Sequence, residues 1–188
     1  MEYDLIKELE KYTPKDEMEI EDKKKILEFL KTNENCYSRT NLKGHITAGA
    51  VIMHEDGDLL INFHKILKKW VFFGGHSDGE TNTLNVAKRE VAEESGITEY
   101  DDLGGKIFDA EVHLIPENKA KKEPEHYHYD IQFLFIVNKK DFKISNESIN
   151  IKWVNIKEAR QLLTDKDQIR MLNKASEIHK NRQINNSI

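Results

Sequence analysis

Between Gly74 and Ile97 the chain reads GGHSDGETNTLNVAKREVAEESGI, and the acidic residues of this stretch restrict the fold more than any other feature. A helix turns by about 100° per residue, so Glu93 and Glu94 flank Glu90 within about 100° of arc. Leu84, Ala87 and Val91 form an apolar strip beside them. That strip can anchor the helix to a core while the carboxylates face a cleft. Like charges three and four residues apart repel each other. They also stand in the last turns before Gly96, a suitable residue to end the helix, where the helix dipole disfavours anions. A bound cation reverses these penalties together. Three carboxylates at this spacing suit Mg²⁺, a hard ion that takes oxygen ligands.

The same stretch resembles the Nudix box, G-x5-E-x7-R-E-U-x-E-E-x-G-U with U apolar. Gly75, Arg89, Glu90, Val91, Glu93, Glu94, Gly96 and Ile97 match it, whereas Thr81 stands where the first Glu belongs and Glu80 comes one residue early. The GGHSDGET form, with His76 and Asp78, is similar to a bacterial subgroup of the family. The resemblance implies an α/β fold, an α/β/α sandwich with a mixed sheet over residues 42–165. A helical extension over 1–41 would precede it, and a helix and tail over 166–188 would follow.

The resemblance also implies a Mg²⁺ or Mn²⁺ cofactor and hydrolysis within a diphosphate linked to another moiety, often a nucleoside. Glu90 and Glu94 are then metal ligands at i,i+4 spacing, and Glu93 binds a second ion or accepts a proton from water. Arg89 orients the acidic cluster, but its usual partner in the family, the first box Glu, is here Thr81. Gly75, His76, His128 and Asp130 are the expected substrate contacts, and Glu147 lies where related proteins often supply a further carboxylate. The Thr81 departure leaves open an alternative, a catalytically weak module of the same fold that binds or senses a nucleotide.

At 188 residues, with 38% hydrophobic and 34% charged residues, the chain can bury one sizeable core. A net charge of −5 argues against a basic face for nucleic acid. No run approaches about 18 apolar residues, so no membrane partner is expected. The opening MEYDLIKELEKYTPKDE is charged throughout and unlike a signal peptide. Cys36 is alone, which excludes an internal disulfide and fits a cytoplasmic location. The expected partner is a small diphosphate compound, and a homodimer is compatible with the sequence.

Leu5, Ile6, Leu9 and Tyr12 recur at helical spacing. Thr13-Pro14 reads as the start of a second helix, running to about Lys31 with Met18, Ile26, Leu27, Phe29 and Leu30 buried. This helical hairpin could serve as a lid or dimer arm, but packing over a sheet edge is the favoured reading. ITAGAVIM and LLINFH read as strands joined by a turn at Asp56-Gly57. Trp70 to Phe73 is a short strand. The box helix starts near Asn82 with Thr81 or Thr83 as its cap, and residues 107–115 form a strand.

Glu117 to Glu125, with three lysines, is an exposed loop. In the following strand, His126, His128, Asp130 and Gln132 share one face, and Tyr127, Tyr129, Ile131, Phe133 and Phe135 the other. With no Cys or third His near His126 and His128 in sequence, substrate contact is favoured there over a transition metal. Ile151 to Val154 is a last strand, Lys157–Leu163 and Asp167–Lys180 are helices, and NRQINNSI is a frayed tail.

Overall fold

This computed structural model describes residues 3–118 and 123–185. The elements in chain order are α1 (Leu5–Lys11), α2 (Glu17–Thr32), β1 (Gly44–His54), β2 (Leu59–His64), β3 (Trp70–Val71), β4 (Phe73–His76), α3 (Thr83–Ser95), β5 (Asp109–Ile115), β6 (His126–Val137), β7 (Ser148–Val154), α4 (Ile156–Leu162) and α5 (Lys166–Asn185). Hydrogen bonds link the seven strands along the path β3-β2-β1-β6-β5, with β4 on β1 and β7 on β2. This is the α/β architecture with a helix-flanked sheet that the sequence predicts, including the N-terminal helical hairpin.

The chain folds as two compact units. The first comprises Met1–Gly49, Gly74–Ala87 and Gly105–Phe133. Asp4 caps α1 and Asp16 caps α2, each carboxylate accepting from two first-turn amides. The second helix therefore starts after Asp16 rather than at Thr13-Pro14. Leu5 and Leu9 of α1 are buried; of the positions expected to be buried in α2, Ile26 and Phe29 are, Leu27 and Leu30 are half-buried, and Met18 is exposed. Phe29 stacks on Tyr129 with ring centroids 4.0 Å apart. The α2 helix packs on β5, the end of the strand path. Its Glu19 carboxylate accepts from the Ala110 amide at 3.3 Å. The Tyr12 hydroxyl donates to Glu19 and, at 2.9 Å, to the Phe108 carbonyl. The hairpin thus covers a sheet edge. Antiparallel β5 and β6 run in register from Asp109 opposite Gln132 to Ile115 opposite His126.

The second unit comprises Ala50–Phe73, Lys88–Gly104 and Leu134–Ile188. The β1–β2 hairpin turns at Gly57, whose φ is +95°, a left-handed conformation that glycine adopts without steric cost. β2 also pairs antiparallel with β7, with a bulge between Phe63 and His64. The strand expected over Trp70–Phe73 is broken at Phe72 into β3 and β4. Ala159, Met171, Leu172 and Ala175 bury the inner faces of α4 and α5. The C-terminal helix continues to Asn185, so residues 181–185 are helical rather than a frayed tail; residues 186–188 lie outside the described residues. So do Lys119, Lys121 and Lys122, the lysines of the predicted exposed loop. Among the described residues, no helix is long and apolar enough to cross a membrane.

Candidate active site

The box helix forms as α3, Thr83–Ser95. Its N-cap is Asn82, whose side-chain oxygen accepts from the amides of Leu84 at 3.1 Å and Asn85 at 3.2 Å. Neither threonine takes that role, because Thr83 is buried and its hydroxyl is hydrogen-bonded to Tyr3 at 2.5 Å. At the other end the Gly96 amide donates to the Ala92 carbonyl at 3.0 Å. Gly96 has φ +72°, the left-handed stop expected of that residue. Ala87 and Val91 are fully buried as expected, joined by Val86, whereas Leu84 is only half-buried.

Within the second unit, Arg89, Glu90, Glu93 and Glu94 follow one another along α3. Arg89 Nη1 lies 2.7 Å from Glu90 Oε1 and 3.5 Å from Glu93 Oε2. Glu90 and Glu94 are largely withdrawn from solvent, with the Glu90 side chain 13% exposed and Glu94 5% exposed, while the Glu93 side chain is 60% exposed. Burial raises the Glu90 pKa above the usual carboxylate range. Arg89 opposes that shift, and the charges of Glu93 and Glu147 add to it. Glu147, just ahead of β7, is therefore electrostatically part of the acidic group. The group around Glu90 is thus net negative, with Glu90 itself withdrawn from solvent and Glu93 and Glu147 exposed.

Within the first unit, β4 carries Gly74, Gly75 and His76 alongside β1. A Cβ on Gly74 would lie 2.8 Å from Gly49 Cα and 3.0 Å from the Ala48 carbonyl oxygen. Only glycine permits so close a strand contact. In the loop that follows, Arg39 grips Asp78 with two 2.6 Å hydrogen bonds. Glu80 accepts from the Asn82 amide at 2.8 Å, which commits its carboxylate to the turn before α3. Thr81 is exposed.

Asp130 is buried, accepting from the Thr47 hydroxyl at 2.7 Å and the Gln132 amide at 2.6 Å. The ring of His128 meets those of His45, from β1, and His76, from β4. Centroid separations are 5.0 Å for His45–His76, 4.8 Å for His45–His128 and 5.0 Å for His76–His128. His126 shares a 2.8 Å hydrogen bond with the Pro124 carbonyl through Nδ1, and its Nε2 lies 3.3 Å from His128 Nε2. Burial and the neighbouring imidazoles lower the pKa of His128 to about 2 and that of His45 to about 4. The histidine cluster is thus larger than the sequence suggested, because pairing of distant strands supplies His45, His76 and also His113 of β5, whose ring lies 5.4 Å from that of His128. A signal was present: His45 and Thr47 alternate on β1 as His128 and Asp130 do on β6, and the Thr47–Asp130 hydrogen bond shows that these faces are shared.

Residues 43–174 match the NUDIX domain. A relative from Lactococcus lactis subsp. cremoris (strain MG1363), named as a probable DHNTP pyrophosphohydrolase, is 27% identical over 122 residues, covering 64% of this chain and 72% of its own. Among solved structures, a Caenorhabditis elegans Ap4A hydrolase in a binary complex superposes with a TM-score of 0.57 at 20% identity, covering 71% of this chain and 96% of that one. The Escherichia coli dihydroneopterin triphosphate pyrophosphohydrolase superposes with a TM-score of 0.55 at 15% identity, covering 69% of this chain and 92% of that one. These likenesses establish the α/β/α sandwich as the shared fold. With the domain match spanning most of the chain, the protein belongs to the Nudix family and is an enzyme of that family's kind, a pyrophosphohydrolase.

Proposed function

We propose that the protein hydrolyses a diphosphate linkage in a nucleotide-like small molecule, with Mg²⁺ or Mn²⁺ held by Glu90, Glu94 and Glu93. The observation that carries this reading is the Glu90 carboxylate, withdrawn from solvent and with its pKa raised by burial and by the charges of Glu93 and Glu147. Such a donor set fits a hard divalent ion. When bound, the ion supplies charge neutralisation at phosphate oxygens and a more acidic water.

The protein's own groups do the rest. Glu90 and Glu94, fixed on one helix face, hold the cationic centre in place. Glu93, the most exposed of the three, is positioned to take up the proton released by the attacking water. Arg89 is a positioning residue that keeps Glu90 and Glu93 oriented. Within the first unit taken by itself, Gly75, with no side chain, leaves the β4 backbone open to a phosphate. Asp130 is committed to Thr47 and Gln132, so its part in substrate binding is to stiffen β6 rather than to touch phosphate.

The L. lactis relative's name makes dihydroneopterin triphosphate the first compound to assay, beside a panel of nucleoside di- and triphosphates and diphosphate-linked metabolites. Released phosphate or pyrophosphate is expected only with Mg²⁺ or Mn²⁺. Glu94→Gln should lower turnover by about tenfold or more with an unchanged circular-dichroism melt. Unchanged turnover in that variant would remove the carboxylates from the reaction. A second reading, a nucleotide-binding module with little turnover, is favoured by one observation: with Thr81 in the first box position, Arg89 pairs with Glu90 itself. Calorimetric binding of a nucleotide with no product after hours in Mn²⁺ would select it.

A further inference from the structure

We propose that His45, His76 and His128 bind a divalent transition metal ion of the zinc class, through ligands distinct from the carboxylates of α3. One ligand nitrogen from each of the three lies within 4.8 Å of the others. The three rings stand at the corners of a nearly equilateral triangle with sides of 4.8 to 5.0 Å. Each comes from a different strand, β1, β4 and β6, so backbone pairing rather than a flexible loop sets their separation.

His45 supplies an independent observation. It is 3% exposed, and neither ring nitrogen makes a well-formed hydrogen bond, although the Asn41 backbone lies close enough to favour its charged form slightly. Buried polar atoms are nearly always partnered, and an exception calls for an explanation, of which a bound ion is one. A metal ion accepts the lone pair that no protein donor meets here.

His126 extends the pattern. Its Nδ1 bonds to the Pro124 carbonyl, the arrangement by which metal-binding histidines are oriented from behind. Donation from Nδ1 leaves the Nε2 lone pair facing His128 Nε2 at 3.3 Å. Zinc–nitrogen bonds of about 2.0–2.1 Å in a tetrahedral shell place neighbouring nitrogens about 3.3–3.4 Å apart, the spacing this pair shows, while His45, His76 and His128 remain the three mutually close ligands. An all-imidazole set selects zinc, cobalt, nickel or copper over magnesium. Asp130, the nearest carboxylate along β6, is held by Thr47 and Gln132 and does not convert the site into one for a hard ion.

The test uses the full chain without a histidine tag, stripped with chelator and titrated with Co²⁺. One equivalent should bind with the visible absorption of a nitrogen-coordinated ion, and Zn²⁺ should displace it. The spectrum should persist in a Glu90→Gln, Glu94→Gln double variant. His76→Asn and His128→Asn should each weaken binding by more than about tenfold, the loss that even outer partners of a metal site produce. Zn²⁺ should raise the melting temperature of the wild type and leave that of His76→Asn unmoved. His76 is only partly buried, so this variant is expected to fold even if a change at His45 does not. Absence of the spectrum in the wild type, its persistence at full strength in both histidine variants, or its loss in the glutamate double variant would each overturn the proposal.

Discussion

At Glu90 a carboxylate is held between opposing influences. Burial and the charges of Glu93 and Glu147 favour its protonated form, and the Arg89 guanidinium at 2.7 Å favours its ionised form. Only the ionised form holds a cation. Arg89→Ala should therefore raise the Glu90 pKa further, so that activity is lost at a higher pH as the solution is acidified. The pH–rate profile in saturating Mg²⁺ reads this directly, and an acid limb that stays in place would show that Arg89 does not act through Glu90. At Gly74 the constraint is steric. An added methyl would meet Gly49 and the Ala48 carbonyl, both backbone, which cannot yield as a flexible side chain can. Gly74→Ala should cost about 1–3 kcal/mol of stability, measured by urea denaturation.

At the scale of elements, α3 depends on its first turn. Asn82→Ala removes the acceptor for the Leu84 and Asn85 amides and should cost about 1 kcal/mol, seen as a lower denaturation midpoint. This cap illustrates what the sequence conveys. The span of α3, its glycine stop, its acidic face and two members of its apolar strip, Ala87 and Val91, follow from local periodicity and were legible, while the buried Val86 in place of the half-buried Leu84 was not. Which of three adjacent polar residues caps it was not, because Tyr3, distant in sequence, takes the Thr83 hydroxyl. The same holds for the histidines. Alternation along β6 placed His126 and His128 on one face with Asp130, but His45 and His76 join them only through strand pairing, which a local pattern does not encode. The start of α2 shows the same limit, since Asp16 rather than Thr13 caps it.

For the molecule as a whole, the desolvated imidazoles of buried His45 and half-buried His128 tie stability to pH. His45 and His128 have pKa values of about 4 and about 2 in the fold, against about 6.5 in an unfolded chain. Below about pH 6.5 the unfolded chain takes up protons that the folded one refuses, so folding stability is complete above that pH and declines as the pH falls towards the folded values. In chelator, the urea midpoint should drop between pH 7.5 and pH 5.5. His128→Asn should flatten that dependence, and an identical slope in the variant would refute the assignment.

The hairpin of α1 and α2 has a consequence for solubility. β5 ends the strand path, and its Ala110 amide is satisfied by Glu19 from α2 instead of by another strand. Stripped of that helix, β5 would offer an open row of donors and acceptors to any passing chain. The N-terminal helices thus act as a built-in guard against strand-to-strand clumping, and a shortened form beginning at β1 would be expected to precipitate.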